Sequence, residues 1–437
     1  MAAAAVMSLT LAAASACAAP GGSSPAPAAR PRITPMTNIS AGCAGNSSEV
    51  EEAFAPPGYV YAEWIGCGGI GFARSTDSGL HFGAAMTVPG SQGGSWDPAI
   101  TVSAGGTVYA AFMHASRRGS SLSNSPVVAV SRDHGASFSQ VHQDLPPAPG
   151  NWGDRDFIAA GRGNRLYLTW DYGPSYAEVR TRCARGGSCA NSNGDLNAVI
   201  QASGNGGATW GPITHLEPGF PFGGGYGAPL VVGPGGRVDV LCDSHPTDPG
   251  TGRLHPGYEY FTASAQGTRW PASPQKLWPG NGPLSLSEWW IDGDISTDAA
   301  GHLYVTWDTQ TAAGDIGWLT YSEDGGRTWS APLRVTPDTD HAPHIVESAG
   351  GRAGIAYVAW QTSAPAQGYA TYLRPFSIRR GWLAPAVKVS AAYGNSAIWP
   401  GDTFGISPLP GGRISLTWGS ATGTARQSAI YASVVTI

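Results

Sequence analysis

Four short stretches of the chain set indole rings beside carboxylates: SWDPAI at 95–100, NWGDRDF at 151–157, EWWIDGDI at 288–295 and IWPGDTF at 398–404. Flat aromatic faces stack on the C–H faces of sugars, and carboxylates accept hydrogen bonds from sugar hydroxyls. Carboxylates crowded together raise one another's pKa, which can set a general acid beside a general base. Glycoside hydrolysis uses such a pair, about 5–5.5 Å apart for retention or about 6.5–9.5 Å for inversion. The catalytic candidates are Asp97, Asp154, Asp156, Asp292, Asp294 and Asp402. The substrate-binding candidates are Trp96, Trp152, Arg155, Glu288, Trp289, Trp290, His344 and Trp399. The competing reading is structural: the tryptophans would plug gaps between neighbouring units, and the aspartates would tie strand starts to adjacent loops. A Ca²⁺ ion held by carboxylates around an axis is a third reading. The sequence contains no compact Ca²⁺ loop and no H-E-x-x-H helix, so no metal or other cofactor is expected.

What must position these residues is a repeated strand. Seven related stretches run along the chain: GYVYAEW (58–64), GTVYAAF (106–112), NRLYLTW (164–170), GRVDVLC (236–242), GHLYVTW (301–307), GIAYVAW (354–360) and GRISLTW (412–418). Most follow a Gly-rich turn and an apolar strand, as in DPAITVSAGG and PLVVGPGG. Short strands recurring at this spacing mark units that bury their faces only by stacking on one another. The expected fold is all-β: a β-propeller of four-stranded antiparallel blades, with seven blades preferred and six the alternative. The last unit shows three strands, and RITPMT at 32–37 resembles RVTPDT at 334–339, an outer strand. The N-terminal strand is therefore expected to close the ring, which removes open sheet edges. In such a ring the Trp–Asp stretches all lead into innermost strands and converge around one hub.

A second motif follows the third strand of several units: STDSGLHF (75–82), SRDHGASF (131–138), SGNGGATW (203–210) and SEDGGRTW (322–329). Weaker versions, SAQGTRW and SIRRGW, end at Trp270 and Trp382. The pattern S-x-D-x-G-x-T-W/F is a turn device: the Asp or Asn accepts backbone N–H bonds, Gly supplies a positive φ, and the aromatic packs between sheets. It resembles the Asp-box, or bacterial neuraminidase repeat, of sialidase-like propellers, and the resemblance covers residues 32–437. The resemblance implies that Asp77, Asp133, Asn205 and Asp324 are structural and lie away from the axis, and His81 and His134 inherit that reading. It does not carry sialidase chemistry. RITP at 32–35 matches the family's R-I-P motif only loosely. Gly227 and Asp243 stand where the family's activating Glu and a triad Arg would fall, and Asp402 or Thr403 stands near the nucleophilic Tyr position. Arg155 is the one arginine placed near the channel.

The 437 residues are 42% hydrophobic and only 13% charged, enough for a large core. A net charge of −5, scattered arginines and almost no lysine exclude a nucleic-acid surface. Residues 1–18 read as a signal peptide, and ASAC ending at Cys17 resembles a lipoprotein lipobox. Residues 19–31 form a Pro/Gly/Ser/Ala-rich tether, followed by one propeller domain over 32–437. Cys43 and Cys67 are expected to pair across the first repeat and Cys183 with Cys189, leaving Cys242 as a buried thiol; spacing alone leaves this pairing open. The expected protein is a monomer, secreted or held at the cell surface by a lipid anchor, and its partner is a glycan or other extracellular ligand. Two functions stand open: a glycoside hydrolase-type enzyme working at the acidic, Trp-lined rim, or a non-catalytic lectin-like or protein-binding propeller.

Overall fold

The structure is a computed structural model that describes residues 31–118, 121–143, 151–175, 197–216, 228–244, 258–277, 293–311, 314–337, 343–364, 368–422 and 425–437. Pro31–Ile437 form one compact unit. Seven antiparallel sheets follow one another as blades. Their innermost strands are Ser48–Ala55 in blade 1, Ser95–Val102 in blade 2, Asn151–Ala160 in blade 3 and Leu230–Val232 in blade 4. Those of blades 5, 6 and 7 are Asp294–Thr297, Pro343–Gly350 and Gly405–Leu409. Each inner strand contacts the inner strand of the next blade, and that of blade 7 contacts that of blade 1. The ring is closed by the chain's first strand: Arg32 pairs with Thr436 and Ile33 with Val435, and Thr37–Asn38 adds to the same edge. The seven-bladed, N-terminally closed propeller expected from the repeats is the fold observed.

The repeated strand explains the core. Its last residue forms a column of Trp64, Phe112, Trp170, Cys242, Trp307, Trp360 and Trp418, none more than 3% exposed. Burying a large aromatic side chain is worth a few kcal/mol each. These residues pack against neighbouring blades, as where Trp418 and Trp64 share one cluster with Phe404 and Leu373. Cys43 is bonded to Cys67, as expected, and clamps the segment after the closing strand to the turn between the second and third strands of blade 1. Cys183 and Cys189 lie outside the described residues, and Cys242 is buried.

The four turns of the second motif share one hydrogen-bond pattern. Ser131 Oγ donates to Asp133 Oδ1 at 2.7 Å while accepting from Gly135 N at 2.7 Å, and Ser137 N donates to Asp133 Oδ1 at 2.9 Å. The turns at Asp77, Asn205 and Asp324 repeat it. Their glycines are needed twice over. Gly135 and Gly326 sit at φ of 75° and 82°, and a Cβ there would fall 2.7 Å from Phe72 and 2.2 Å from Phe261 of the preceding blade. The turn thereby seats each blade on its neighbour.

Candidate functional site at the hub

The inner strands are in register around the ring. The inner-strand residues that pair with the next-to-last residue of each repeated strand are Glu51 (with Glu63), Ala99 (with Ala111), Phe157 (with Thr169), Asp294 (with Thr306), Glu347 (with Ala359) and Gly405 (with Thr417) in blades 1, 2, 3, 5, 6 and 7. Blade 4 contributes Pro229, just before its inner strand, at the equivalent place. This tier is asymmetric. Blades 2 to 4 present Ala99, Phe157 and Pro229, and blades 5, 6 and 1 present three carboxylates with Gly405 between the second and third. All of them except Gly405 line a central cavity of about 420 Å³ to which every blade contributes. Arg155, Glu52, Asp308 and Asp402 line it too.

A second tier is built by bulges. Blades 1, 2 and 3 each insert one extra residue just before the first tier, between Ser48 and Val50, Trp96 and Ala99, and Asp154 and Phe157. Within them Glu49, Asp97 and Arg155 adopt left-handed φ angles of 48°, 48° and 52°. Such a conformation costs a non-glycine residue about 1–2 kcal/mol, so the surroundings must hold it. They do: the Asp97 carboxylate accepts the backbone N–H of Arg155 at 2.8 Å. The Arg155 guanidinium then reaches Asp402 of the loop entering blade 7, with Nη1 3.1 Å from Oδ2. The Asp154 carboxylate raises the pKa of Asp97, and Asp97 raises that of Glu49. Trp96 Nε1 donates to Asp154 Oδ1 at 2.7 Å, linking blades 2 and 3.

Burial dominates the electrostatics. It pushes Asp294 up to about 6, although the Ser348 N–H opposes it. Asp97 is pushed up to about 8 by burial and then by the Asp154 charge. Glu52 is pushed up to about 7 by burial. Glu51 is raised by burial and by Asp294, and Glu347 by burial, Glu51 and Asp294. Glu49 is raised by burial, Asp402 and Asp97. Arg155 lowers Glu49, Glu51, Asp97 and Glu347, but by less than burial raises them. Burial and mutual repulsion thus keep the hub carboxyls protonated to higher pH than free carboxyls.

Of the candidates read from the sequence, Arg155, Asp294 and Asp402 line the cavity. Asp97, Asp154 and Trp96 form the layer joined to it through Arg155. Asp156 is buried, does not line the cavity, and is raised by burial and Asp97. Trp399 is 41% exposed on the loop before blade 7 and does not line the cavity either. Glu288, Trp289, Trp290 and Asp292 lie outside the described residues, as do the side chains of Trp152 and His344. Asp77, Asp133, Asn205 and Asp324 sit in turns between third and outer strands. The reading of Trp–Asp stretches passed over Glu49, Glu51, Glu52 and Glu347. The signal for Glu51 and Glu347 lay in their place opposite the next-to-last residue of the repeated strand, not in a neighbouring tryptophan. Among the described residues no group of three or more His, Cys, Asp or Glu side chains is arranged to hold a metal ion.

No protein-family model matches the chain, and no curated protein matches it. Solved structures share its propeller. A polysaccharide lyase of family PL25, an ulvan lyase, matches with a TM-score of 0.56 at 12% identity over 91% of this chain and 95% of its own. A protein of unknown function from Dyadobacter fermentans matches at 0.52 and 12% identity, over 93% of this chain and 99% of its own. The polysaccharide lyase Uly1 matches at 0.52 and 9% identity, over 90% of each chain. At these identities the likeness is one of fold.

Proposed function

We propose that this chain is an exported, carbohydrate-active propeller of the Asp-box type that holds a glycan at its hub and hydrolyses it by acid–base chemistry between carboxylates. The observation that carries this reading is the tier of Glu51, Asp294 and Glu347, three carboxylates of common register facing one cavity with Arg155 and Asp402. In the proposed step Glu347, held protonated, gives its proton to the glycosidic oxygen. Asp294, ionised near neutrality, takes a proton from water as the water oxygen bonds to the anomeric carbon and the bond from that carbon to the glycosidic oxygen breaks, so the leaving sugar departs with Glu347's proton as its hydroxyl. The apolar arc of Ala99, Phe157 and Pro229 offers a surface for a sugar face. Two of the similar propellers are named polysaccharide lyases, so the fold accommodates polymeric sugars.

An eliminating enzyme needs cations to neutralise a uronate, whereas among the described residues the cavity is lined by one arginine, which is bonded to Asp402, so hydrolysis is the better fit. Release of reducing ends from a panel of polysaccharides tests the reading. Wild-type turnover that falls at least 100-fold in Asp294→Asn and Glu347→Gln supports it, and wild-type rates in both variants remove the assignment. A second reading is a lectin-like module. It is favoured by the Arg155–Asp402 bridge, whose two charges are committed to each other. Binding on a glycan array without any turnover selects it. Export by the leader at residues 1–18 is checked by fractionating the producing cells.

A further inference from the structure

The loop over 389–404 carries the chain from the outer edge of blade 6 to the inner strand of blade 7 and delivers Asp402 to the hub cavity. On the way it holds Tyr393 and Trp399, 38% and 41% exposed, the two exposed aromatic side chains among the described residues. Their backbone is pinned. Tyr393 precedes Gly394, whose N–H donates to the Tyr369 carbonyl at 2.7 Å and whose carbonyl accepts from Tyr369 N at 3.2 Å. Asn395 N donates to the Ala421 carbonyl of blade 7 at 2.8 Å. Trp399 precedes Pro400, whose carbonyl accepts from Glu49 N of blade 1 at 3.3 Å. A Cβ on Gly368 would run into the Gly394 carbonyl, and one on Gly419 into the Pro400 carbonyl, so both anchor points need a bare backbone. Gly394 and Pro400 are buried while the rings beside them stand in solvent. Lys388 steadies one ring further, with Nζ 3.4 Å from the Tyr393 ring centroid. Glu49 lies at the start of the inner strand of blade 1 and Gly419 near the end of the second strand of blade 7, so the loop crosses the end of the propeller where inner strands begin.

We infer that Tyr393 and Trp399 form a stacking track outside the hub, which takes the outer sugars of an extended polysaccharide while another part of the same chain lies in the cavity. This rests on the glycan reading and names its substrate class as a chain of several sugars, not a terminal sugar or a disaccharide. At no more than about 3.6 Å per residue, Trp399 lies within about 11 Å of Asp402 and Tyr393 within about 22 Å of Trp399. Neither ring lines the cavity, so only a ligand that extends past Asp402 meets them. Aromatic faces accept the C–H face of a sugar ring without demanding one hydroxyl pattern. The track therefore selects for chain length. Rings held in place by their backbone lose little freedom when a ligand stacks on them.

The test compares dimers with hexamers of cellulose, xylan, mannan, arabinan and galacturonan on the full chain. Apparent affinity is read as KM where a probe is turned over and as Kd where it is only bound. The wild type is expected to prefer at least one hexamer over its dimer by about tenfold or more. Trp399→Ala and Tyr393→Ala should each cut that preference about threefold or more, and Trp399→Phe and Tyr393→Phe, which keep a ring, should retain most of it. Both side chains are exposed, so melting temperatures at the wild-type value confirm folding, and the wild-type length comparison stands without the variants. Absence of a length preference in the wild type, an undiminished preference in both alanine variants, or equal weakening of dimer and hexamer overturns the inference and leaves the glycan reading in place. Failure of every probe, hexamers included, overturns both.

Discussion

Arg155 of blade 3 places Nη1 3.1 Å from Oδ2 of Asp402 in the loop entering blade 7, although 247 positions separate them (402 − 155). The two side chains are only 11% and 10% exposed. Removing one partner of a buried pair leaves the other charge uncompensated, at a cost of about 3–5 kcal/mol. Arg155→Met is therefore expected to destabilise the protein by about 3 kcal/mol at pH 8. The loss should shrink at pH 5, where Asp97, which interacts with Arg155 and is raised to about 8, carries a proton and needs the cation less. Denaturant unfolding at both pH values measures this, and an equal loss at both would contradict it.

The buried hub predicts a pH optimum for stability. Asp294, Glu52 and Asp97 are raised to about 6, 7 and 8 from ordinary values of 3.8, 4.5 and 3.8. A raised folded-state pKa means that the native state binds more protons than the unfolded chain, so this contribution is complete below pH 4 and drains away as pH climbs to 8. The turn carboxylates Asp77 and Asp324 have the opposite sign. Both lie at about 2, Asp77 because the His81 and Ser75 bonds outweigh its burial, Asp324 chiefly through the Thr328 hydroxyl. Their contribution fades below pH 4. Thermal unfolding should peak near pH 4–5. Asp294→Asn should raise stability at pH 8 by on the order of 1 kcal/mol and flatten the alkaline limb. A melting temperature that rises from pH 5 to 8 would refute this.

The Cys43–Cys67 bond closes a loop with a sequence separation of 24, for which chain entropy gives roughly 3 kcal/mol. Reduction, or Cys43→Ala, should lower the melting temperature by several degrees. The hub lies on other strands, so glycan binding by the folded fraction should be unchanged.

Asn205 makes the same turn bonds as Asp133 and Asp324, from Oδ1 to a Ser hydroxyl and to a backbone N–H four residues on. The charge is thus dispensable and the oxygen is not. Asp324→Asn should keep nearly the wild-type melting temperature, Asp324→Ala should lose more, and neither should alter activity at the hub. Scanning calorimetry beside a binding assay separates these outcomes.

Blade number, ring closure and turn chemistry were all legible from residue order. They depend on local pattern: Trp360 and Trp418 recur one blade apart, and the Ser131–Asp133–Gly135 turn is made within five residues. Part of the hub was legible in the same way, because Asp294, Arg155 and Asp402 sit in Trp–Asp stretches that lead into inner strands. Glu51 and Glu347 were not, because neither follows a tryptophan. Aligning inner strands by their partners Glu63, Thr306 and Ala359, each next to last in its repeated strand, puts both in Asp294's column.

The sequence alone determined that seven similar strand units would stack into a closed wheel with acids near its axis, since hydrophobic period and turn residues act over a few positions. Only the tertiary structure decided which acids meet. One extra residue at Glu49, Asp97 and Arg155 breaks the two-residue alternation and redirects the side chains beyond it. Ring closure then brings Arg155 to Asp402, a pairing that no local pattern encodes.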